Sequence, residues 1–227
     1  MCGIVAAASQ ANIIDILTDG LAHLEYRGYD SAGIAFINNE TINSHKKKGN
    51  VSKLTQSLGE NLSSNVGIAH TRWATHGEPS EKNAHPHLAE NNIAIVHNGI
   101  IENYIEIKNK FFKDKNFNSN TDSEVLVHLI DYFSKENEIL DAVYFALNEV
   151  KGSYAIAVLD KRNPNKIIGA RNGSPLIIGI GDKENYIASD VQALIKHTNK
   201  FVYLEDGDLA TITYDEVKIF DKNKKNI

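Results

Sequence analysis

The chain has 227 residues with a formal net charge of −5, and 42% of its residues are hydrophobic. This length and apolar content are typical of one large domain with a substantial core. The acidic balance argues against a nucleic-acid partner, because phosphate binding needs a basic face. The single cysteine excludes an intrachain disulfide, and the chain has no spaced cysteine pairs to hold zinc.

The sequence carries no signal for a membrane span or for export. No apolar run approaches the ~20 residues that cross a bilayer, and the N-terminus has no basic region ahead of its short apolar stretch. The near absence of cysteine also suits a reducing compartment. We therefore expect a cytoplasmic protein that does not bind a membrane.

In the N-terminal half, short apolar runs alternate with helical periodicity. The run at residues 4–8 is too short for a helix and predicts a buried strand. Apolar residues three and four apart over residues 13–24 predict an amphipathic helix, with Asn12 as its cap. Asn98-Gly99 is a strong turn signal. Further strands are expected at 32–37, 42–48, 66–71 and 93–96, and a short helix at 51–58.

The C-terminal half predicts grouped helices followed by repeated strands. Helices are expected at 103–113 and 139–150, and between them residues 121–124 form a capping box that opens a third. This arrangement indicates an α+β fold with mainly antiparallel sheets. About ten strands are more than one open sheet holds comfortably, which favours two stacked sheets. The strands of this half are expected at 154–159, 167–170, 176–180, 186–189, 201–204, 208–213 and 217–220.

Cys2 is the most informative residue because it directly follows Met1. A small second residue allows Met1 to be removed, which would leave a free α-amine and a thiol on the same residue. The amine has a pKa near ~8 and the thiol near ~8.5, so the amine can act as general base for its own side chain. The alternative is that Cys2 is a small buried hydrophobic residue without chemistry.

Four other residues supply groups needed for attack on a carboxamide. Asn98 and Gly99 offer a side-chain amide and a backbone N–H that together can stabilise an oxyanion, or they form an ordinary hairpin turn. Arg72, at a predicted strand end, can hold a carboxylate by two hydrogen bonds, or it is a surface cation. Asp122 can bind an ammonium group, or it only complements the dipole of its helix.

Five strings of residues resemble those of one known family. They are similar, in order, to the glutaminase domains of the glucosamine-6-phosphate synthase family, which are class II glutamine amidotransferases and N-terminal nucleophile hydrolases. The resemblance extends through the whole chain, and five motifs in order are more specific than any one alone. The strings are residues 2–5 (CGIV), 24–33 (LEYRGYDSAG), 70–77 (HTRWATHG), 97–103 (HNGIIEN) and 121–124 (TDSE).

The resemblance implies a four-layer αββα sandwich with two stacked, mainly antiparallel sheets. It implies that Cys2 is nucleophile and base, and that Asn98 and Gly99 form the oxyanion hole. It also implies that glutamine is held by its carboxylate at Arg72 and by its amino group at Asp122. The remaining family positions are Arg27 beside the nucleophile and a loop that closes over glutamine, formed by Trp73, Thr75, His76 and Gly77. Trp73 could equally be a half-buried core aromatic.

In function, the resemblance implies hydrolysis of L-glutamine to glutamate and ammonia through a γ-glutamyl thioester on Cys2. No cofactor or metal is expected. In the longer family enzymes the ammonia converts fructose 6-phosphate to glucosamine 6-phosphate, and such an enzyme is expected to be a homodimer. Residues 1–221 are the expected glutaminase domain, and residues 222–227 the expected start of a linker to a sugar-phosphate isomerase half.

Two other functions remain open from the sequence. The same amidotransferase chemistry could serve another acceptor, as in the asparagine synthetase or phosphoribosylpyrophosphate amidotransferase families. Alternatively, the chain could be a metal-binding or non-catalytic glutamine-sensing module, because several histidines are close in sequence. Pro86 between two of them is not a standard ligand spacing. The histidines concerned are His70, His76, His85, His87 and His97.

Overall fold

A computed structural model describes residues 2–59, 61–74, 77–90 and 92–227. Within these ranges, thirteen strands form two antiparallel sheets that pack face to face, and five α-helices cover the outer faces. The α+β class and the four-layer αββα arrangement are therefore confirmed. No described helix is long and apolar enough to cross a bilayer.

The first sheet has seven strands, with the N-terminal strand at its centre. They are β1 Gly3–Ser9, β2 Ser31–Asn38, β3 Thr41–Lys48, β4 Val66–Arg72, β9 Ile177–Ile180, β10 Glu184–Ala188 and β11 Phe201–Tyr203. Their order across the sheet is β11-β9-β10-β1-β4-β2-β3. β1 is therefore antiparallel to β10 on one side and to β4 on the other.

The second sheet has six strands in the order β13-β12-β8-β7-β6-β5. Its longest ladder joins β6 and β7, whose paired residues run from Ile93 opposite Asp160 to Ile101 opposite Gly152. This ladder is a rigid support for the residues at the end of β6. The strands are β5 His87–Ala89, β6 Ile93–Ile101, β7 Gly152–Asp160, β8 Ile167–Asn172, β12 Leu209–Ile212 and β13 Val217–Phe220.

The helices divide between the two outer faces. α1 and α2 pack on the seven-stranded sheet, and α3, α4 and α5 pack on the six-stranded sheet. α1, α2, α3 and α5 each bury one apolar side and expose the other, as expected for an outer layer, whereas α4 is buried along most of its length. The helices are α1 Ile14–His23, α2 Val51–Ser57, α3 Tyr104–Phe111, α4 Asp122–Ser134 and α5 Ile139–Asn148.

Side-chain alternation along the strands builds the core. On β1, Ile4, Ala6 and Ala8 face the gap between the sheets, whereas Val5 and Ala7 face outward and pack under α1. This period of two is the geometry of a strand with both faces covered. The same alternation decides which functional side chains enter the gap.

The predicted turn at Asn98-Gly99 is wrong. β6 runs through both residues, and Gly99 is paired with Tyr154 of β7. The local Asn-Gly preference is overridden because the ladder with β7 continues to the end of β6. A glycine is still required at this position: φ of Gly99 is +136°, and a Cβ would lie 2.1 Å from the carbonyl oxygen of Ser153.

One of two predicted helix caps differs from the structure, and the other agrees with it. α1 begins after Ile13, and Asn12 is not its formal cap, although the Asn12 Oδ1 accepts a hydrogen bond from Ile14 N at 3.3 Å. The cap of α4 is Thr121 as predicted, because its hydroxyl accepts from Glu124 N at 3.4 Å. No sequence pattern predicts the three-residue strand β5, which is too short to show periodicity.

The C-terminal residues fold back on the second sheet. The N–H of Ile227 donates to Ile219 O at 2.9 Å, and Lys224 forms an ion pair with Asp141 of α5. A domain boundary at residue 221 therefore stays a prediction.

We expect Ile68→Ala to lower the free energy of unfolding by about 2–5 kcal/mol, because truncation leaves a cavity between the sheets. Ile68 is 0% exposed in the central cluster. The matched control is Ile105→Ala on α3, where the side chain is 57% exposed and the change should stay within about 0.5 kcal/mol. Urea unfolding of both variants measures the difference, and equal effects would contradict this description of the core.

Candidate active site

Strand alternation brings three functional side chains from the two sheets to one place. Cys2 and Arg72 continue the series of inward-facing residues on β1 and β4, and Asn98 does so on β6 of the facing sheet. Because β1 and β4 are antiparallel, with Gly3 opposite Thr71, the start of β1 meets the end of β4. The fold therefore places the nucleophile candidate beside the carboxylate-binding candidate.

Cys2 is held through both its side chain and its backbone. The N–H of Trp73 donates to the Cys2 Sγ at 3.3 Å, and the thiol lies 3.6 Å from the Trp73 carbonyl oxygen. The carbonyl oxygen of Cys2 accepts two further hydrogen bonds, from Arg27 Nε at 3.1 Å and from Asn98 Nδ2 at 3.0 Å. These contacts leave the thiol little freedom to change position.

The environment of Cys2 keeps its thiol protonated at neutral pH. Burial raises the pKa of the thiol, and this effect outweighs the hydrogen bond from Trp73 N–H and the positive charge of Arg72, which both lower it. A nucleophilic thiolate therefore requires a base close to the sulfur.

Arg27 connects the nucleophile to the opposite edge of the site. Its guanidinium lies 3.2 Å from the carboxylate of Asp190, which also accepts a hydrogen bond from the Tyr26 hydroxyl at 2.9 Å. Arg27 is only 8% exposed, so this ion pair and the bond to the Cys2 carbonyl satisfy a buried charge. The structure thus places Arg27 where the resemblance implied, against the backbone of Cys2.

Asn98 has both ends of its side-chain amide occupied. Its Nδ2 donates to the carbonyl oxygen of Cys2, and its Oδ1 lies 3.0 Å from His70 Nε2. Gly99 follows on the same strand and lines the same cavities as Cys2. The two proposed oxyanion donors therefore lie beside the thiol, although they belong to a strand and not to a turn.

Asp122 and Arg72 face a small cavity beside the thiol. The carboxylate of Asp122 accepts hydrogen bonds from Ile101 N at 2.7 Å and from Ser123 N at 3.0 Å, at the start of α4. This cavity has a volume of about 30 Å³, and Cys2 and Gly99 also line it. Asp122, Arg72 and Cys2 thus line one small cavity.

A second, larger cavity also borders Cys2. It has a volume of about 250 Å³, and Cys2, Arg27, Asn98 and Trp73 are among its lining residues. Trp73 is 49% exposed and packs edge-on against Tyr29, with 5.9 Å between ring centroids. Trp73 is therefore about half-buried and belongs to none of the three core clusters.

The candidate closing loop is only partly described. Thr75 and His76 lie outside the described residues. On either side of them, Trp73 borders both cavities, and the carbonyl oxygen of Gly77 accepts from the guanidinium of Arg72 at 3.4 Å. The described part of the loop is thus joined to two candidate site residues.

Two supporting residues escaped the sequence reasoning. Gly28 lies so close to the end of β4 that a Cβ would be 2.6 Å from the carbonyl carbon of Arg72. The carboxylate of Asp30 accepts a hydrogen bond from Ala74 N, and Asp30 N donates to the Arg72 carbonyl at 3.1 Å. Both hold the segment that contacts the thiol. Their position inside the string at residues 24–33 was the available signal, but only contact with β4 shows their role.

Four of the histidines that are close in sequence are buried together. The ring centroid of His85 lies 4.1 Å from that of His70, 4.6 Å from that of His87 and 6.5 Å from that of His97. Burial lowers the pKa of each ring, so all four are neutral near pH 7. Among the described residues, no group of three or more metal-ligating side chains is arranged to hold an ion. His76 falls outside those residues.

The fold is similar to that of known amidotransferases. A solved structure of the allosteric regulatory enzyme of purine biosynthesis superposes with a TM-score of 0.85 at 27% identity, over 97% of this chain and 49% of that chain. Glutamine phosphoribosylpyrophosphate amidotransferase from B. subtilis superposes with a TM-score of 0.84 at 24% identity, over 99% of this chain and 50% of that chain. This likeness shows that the chain has the fold of these two enzymes, with a cysteine directly before its central strand.

A family model described as "Glutamine amidotransferase domain" matches residues 70–196, and the chain belongs to this family. Among curated relatives, it is similar to the glutamine–fructose-6-phosphate aminotransferase (isomerizing) of Clostridium tetani, with 48% identity over 100% of this chain and 38% of the relative. The enzyme of the same name from Bacteroides thetaiotaomicron is 51% identical over 97% of this chain and 37% of the relative. The chain thus spans less than two fifths of the length of these relatives.

We expect Gly99→Ala to reduce glutamine hydrolysis by at least about 10²-fold, the loss typical of a missing oxyanion donor. The added Cβ would overlap the carbonyl oxygen of Ser153, so the end of β6 must move away from Cys2. Gly59→Ala is the matched control, because a Cβ there meets no described atom within 4 Å. Steady-state glutamate release measures both, and a normal rate for Gly99→Ala would show that the backbone position is not critical.

Proposed function

We propose that this domain hydrolyses L-glutamine to glutamate and ammonia, with Cys2 as nucleophile. The observation that carries this proposal is the shared small cavity, in which the thiol faces a guanidinium and a carboxylate. Free glutamine carries a carboxylate, an ammonium group and a side-chain amide. Arg72 binds the first, Asp122 binds the second, and the amide then reaches Cys2.

The contacts of Arg72 suggest how glutamine is admitted. Its guanidinium contacts the carbonyl oxygens of Gly77 and Glu78 at 3.4 and 3.5 Å, which is long for hydrogen bonds to a cation. A substrate carboxylate, with two charged oxygens, forms stronger hydrogen bonds to a guanidinium than these two carbonyl oxygens do. A cavity of about 30 Å³ holds about one water molecule, so it must widen for glutamine to enter. The resemblance assigns closure over the substrate to the loop of Trp73, Thr75, His76 and Gly77, of which Thr75 and His76 lie outside the described residues.

Removal of Met1 gives Cys2 the base that its raised thiol pKa demands. The free α-amine accepts the thiol proton, directly or through one water, and the thiolate attacks the side-chain carbonyl carbon of glutamine. Asn98 Nδ2 and Gly99 N–H stabilise the resulting oxyanion. The protonated amine then donates its proton to the departing ammonia, which leaves a γ-glutamyl thioester. Water, deprotonated by the same amine, hydrolyses the thioester to glutamate and regenerates the thiol.

We expect an electrophilic glutamine analogue, such as 6-diazo-5-oxo-L-norleucine, to add once to the chain, at Cys2, with the loss of the mass of Met1. Intact mass spectrometry and peptide mapping measure both changes. Cys2→Ala should take up no analogue and release glutamate at least about 10³-fold more slowly, since the nucleophile is lost.

Two results would contradict this mechanism. A processed chain that takes up no analogue would remove Cys2 as the glutamine-reactive group. A chain that takes up the analogue but releases no glutamate would favour a non-catalytic glutamine-sensing module.

We further propose that the ammonia serves the synthesis of glucosamine 6-phosphate from fructose 6-phosphate in a longer protein. The support is the name shared by the relatives at 48% and 51% identity, which both extend well beyond the matched region. Residues 1–221 are then the glutaminase domain and residues 222–227 the start of the linker to a sugar-phosphate isomerase half. A cytoplasmic homodimer is the expected state of that longer enzyme. No step of the proposed hydrolysis requires a cofactor.

The second candidate acceptor is phosphoribosylpyrophosphate, because a structural relative at TM-score 0.84 acts on that compound according to its name. The sugar acceptor is favoured because the identity to the aminotransferases is about twice as high.

We expect the protein expressed from its entire gene to form glucosamine 6-phosphate from glutamine and fructose 6-phosphate. Phosphoribosylpyrophosphate in the same assay should give no phosphoribosylamine. Mass spectrometric detection of the amino sugar, with ¹⁵N from the glutamine amide, measures the transfer. Label that appears only in phosphoribosylamine would reverse the assignment, and label that appears only in free ammonia would refute both acceptors.

A further inference from the structure

His70 is a buried polar residue that the proposed mechanism does not use. It lies on β4, paired with Ile4 of β1 and Gly33 of β2, and it is 0% exposed. Its position two residues before Arg72 directs its ring into the gap between the sheets. There its Nε2 lies 3.0 Å from the Oδ1 of Asn98 and 3.1 Å from the carbonyl oxygen of His97.

The surroundings of the ring determine which nitrogen carries the proton. The carbonyl oxygen of His97 can only accept a hydrogen bond, so Nε2 must be the donor. Burial is the main effect on this ring and lowers its pKa to about 3, although the hydrogen bonds with Asn98 and His97 oppose the shift. His70 is therefore neutral at pH 7 and has a single N–H, located on Nε2. Its other nitrogen is buried without a hydrogen-bond partner among the described residues, which suits an unprotonated atom.

The proton on His70 in turn orients the amide of Asn98. With Nε2–H as donor, Asn98 must present Oδ1 to His70 and Nδ2 to the Cys2 carbonyl, as observed. A rotation of the amide by 180° would set its NH₂ group against the N–H of His70 and its oxygen against the carbonyl oxygen of Cys2. Both contacts would be repulsive, and both would be buried. His70 thus excludes the amide orientation that cannot donate toward the thiol.

We propose that His70 is a positioning residue that holds the Asn98 amide with its NH₂ group toward Cys2, where the oxyanion forms. This inference depends on the proposed hydrolysis of glutamine and adds a residue to it. One hydrogen of the Asn98 Nδ2 group is donated to the carbonyl oxygen of Cys2. The other hydrogen of that group is then available to the oxyanion. The ring of His85, centred 4.1 Å away, packs against His70 and keeps it in place.

Two variants of similar shape distinguish the effect of the hydrogen-bond donor from the effect of side-chain volume. His70→Gln places an amide NH₂ close to the position of the imidazole Nε2, whereas His70→Met has a similar length and no donor. We expect His70→Met to lower kcat for glutamine hydrolysis about 10–100-fold, up to the loss of one oxyanion donor. KM should change less than about threefold, because the hydrogen bond acts on the transition state. His70→Gln should keep kcat within about threefold of the wild type.

A double-mutant cycle tests whether His70 acts through Asn98. In the Asn98→Ala background, the additional His70→Met change should lower kcat further by less than about threefold, because the amide that His70 orients is already absent. The control for loss of a buried histidine is His128→Met on α4, where the ring contacts Glu124; it should leave kcat unchanged. Equal losses in His70→Met and His70→Gln, or full additivity in the cycle, would overturn the proposal.

A spectroscopic measurement on the unaltered chain is independent of variant folding. Long-range ¹H–¹⁵N NMR of histidine-labelled protein should show His70 as the neutral tautomer with its proton on Nε2, unchanged from pH 8 to pH 6. A proton on Nδ1 would overturn the proposal even if glutamine is hydrolysed. A wild-type chain that is processed at Met1 but does not hydrolyse glutamine would instead refute the proposed function, and the role of His70 with it.

Discussion

The carbonyl oxygen of Cys2 is the point on which the site depends. It accepts one hydrogen bond from Arg27, which is ion-paired to Asp190, and one from Asn98 on the facing sheet. The first residue before the central strand is therefore tied to both sheets at once. Without these two donors, a residue at the very start of the chain would be free to move, as chain termini usually are. The fixed backbone lets a short thiol side chain meet substrate in one orientation.

The same packing that positions the thiol also makes it a poor nucleophile. Burial between two sheets disfavours the charged thiolate and raises its pKa. The low polarity of the site raises the pKa of the thiol. The same low polarity strengthens the hydrogen bonds that stabilise a developing oxyanion. In the proposed mechanism an amine on the same residue resolves the conflict, because it accepts the proton only when attack occurs. In this mechanism the buried site therefore depends on the N-terminal base.

The neutral buried histidines on either side of β6 serve the same end. A charged residue there would need a partner, whereas a neutral imidazole can direct one hydrogen bond and bury the rest of its ring. His70 orients Asn98, and His97 bonds Ser123 at the start of α4 with 2.8 Å between Nδ1 and Oγ. Through these contacts the two oxyanion candidates and the helix that carries Asp122 are joined to the strand that carries Arg72.

The sequence by itself determined the elements and the chemistry that single residues carry. Helical periodicity, strand alternation and the N-cap at Thr121 are local, so they could be identified without contacts. A cysteine at position 2 likewise points to its own α-amine as a base. The five strings also indicated the family. Local signals failed where a long-range ladder decided the outcome: Asn98-Gly99 is a strand because β7 pairs with it.

Only the tertiary structure decided which groups meet and in what state. The roles of Gly28 and Asp30 depend on contact with the end of β4, and the tautomer of His70 depends on a carbonyl oxygen from the other sheet. The raised pKa of the Cys2 thiol likewise results from burial between the sheets. A sequence specifies donors, acceptors and periodicity along one chain, but distances between strands far apart in sequence arise only when the sheets pack.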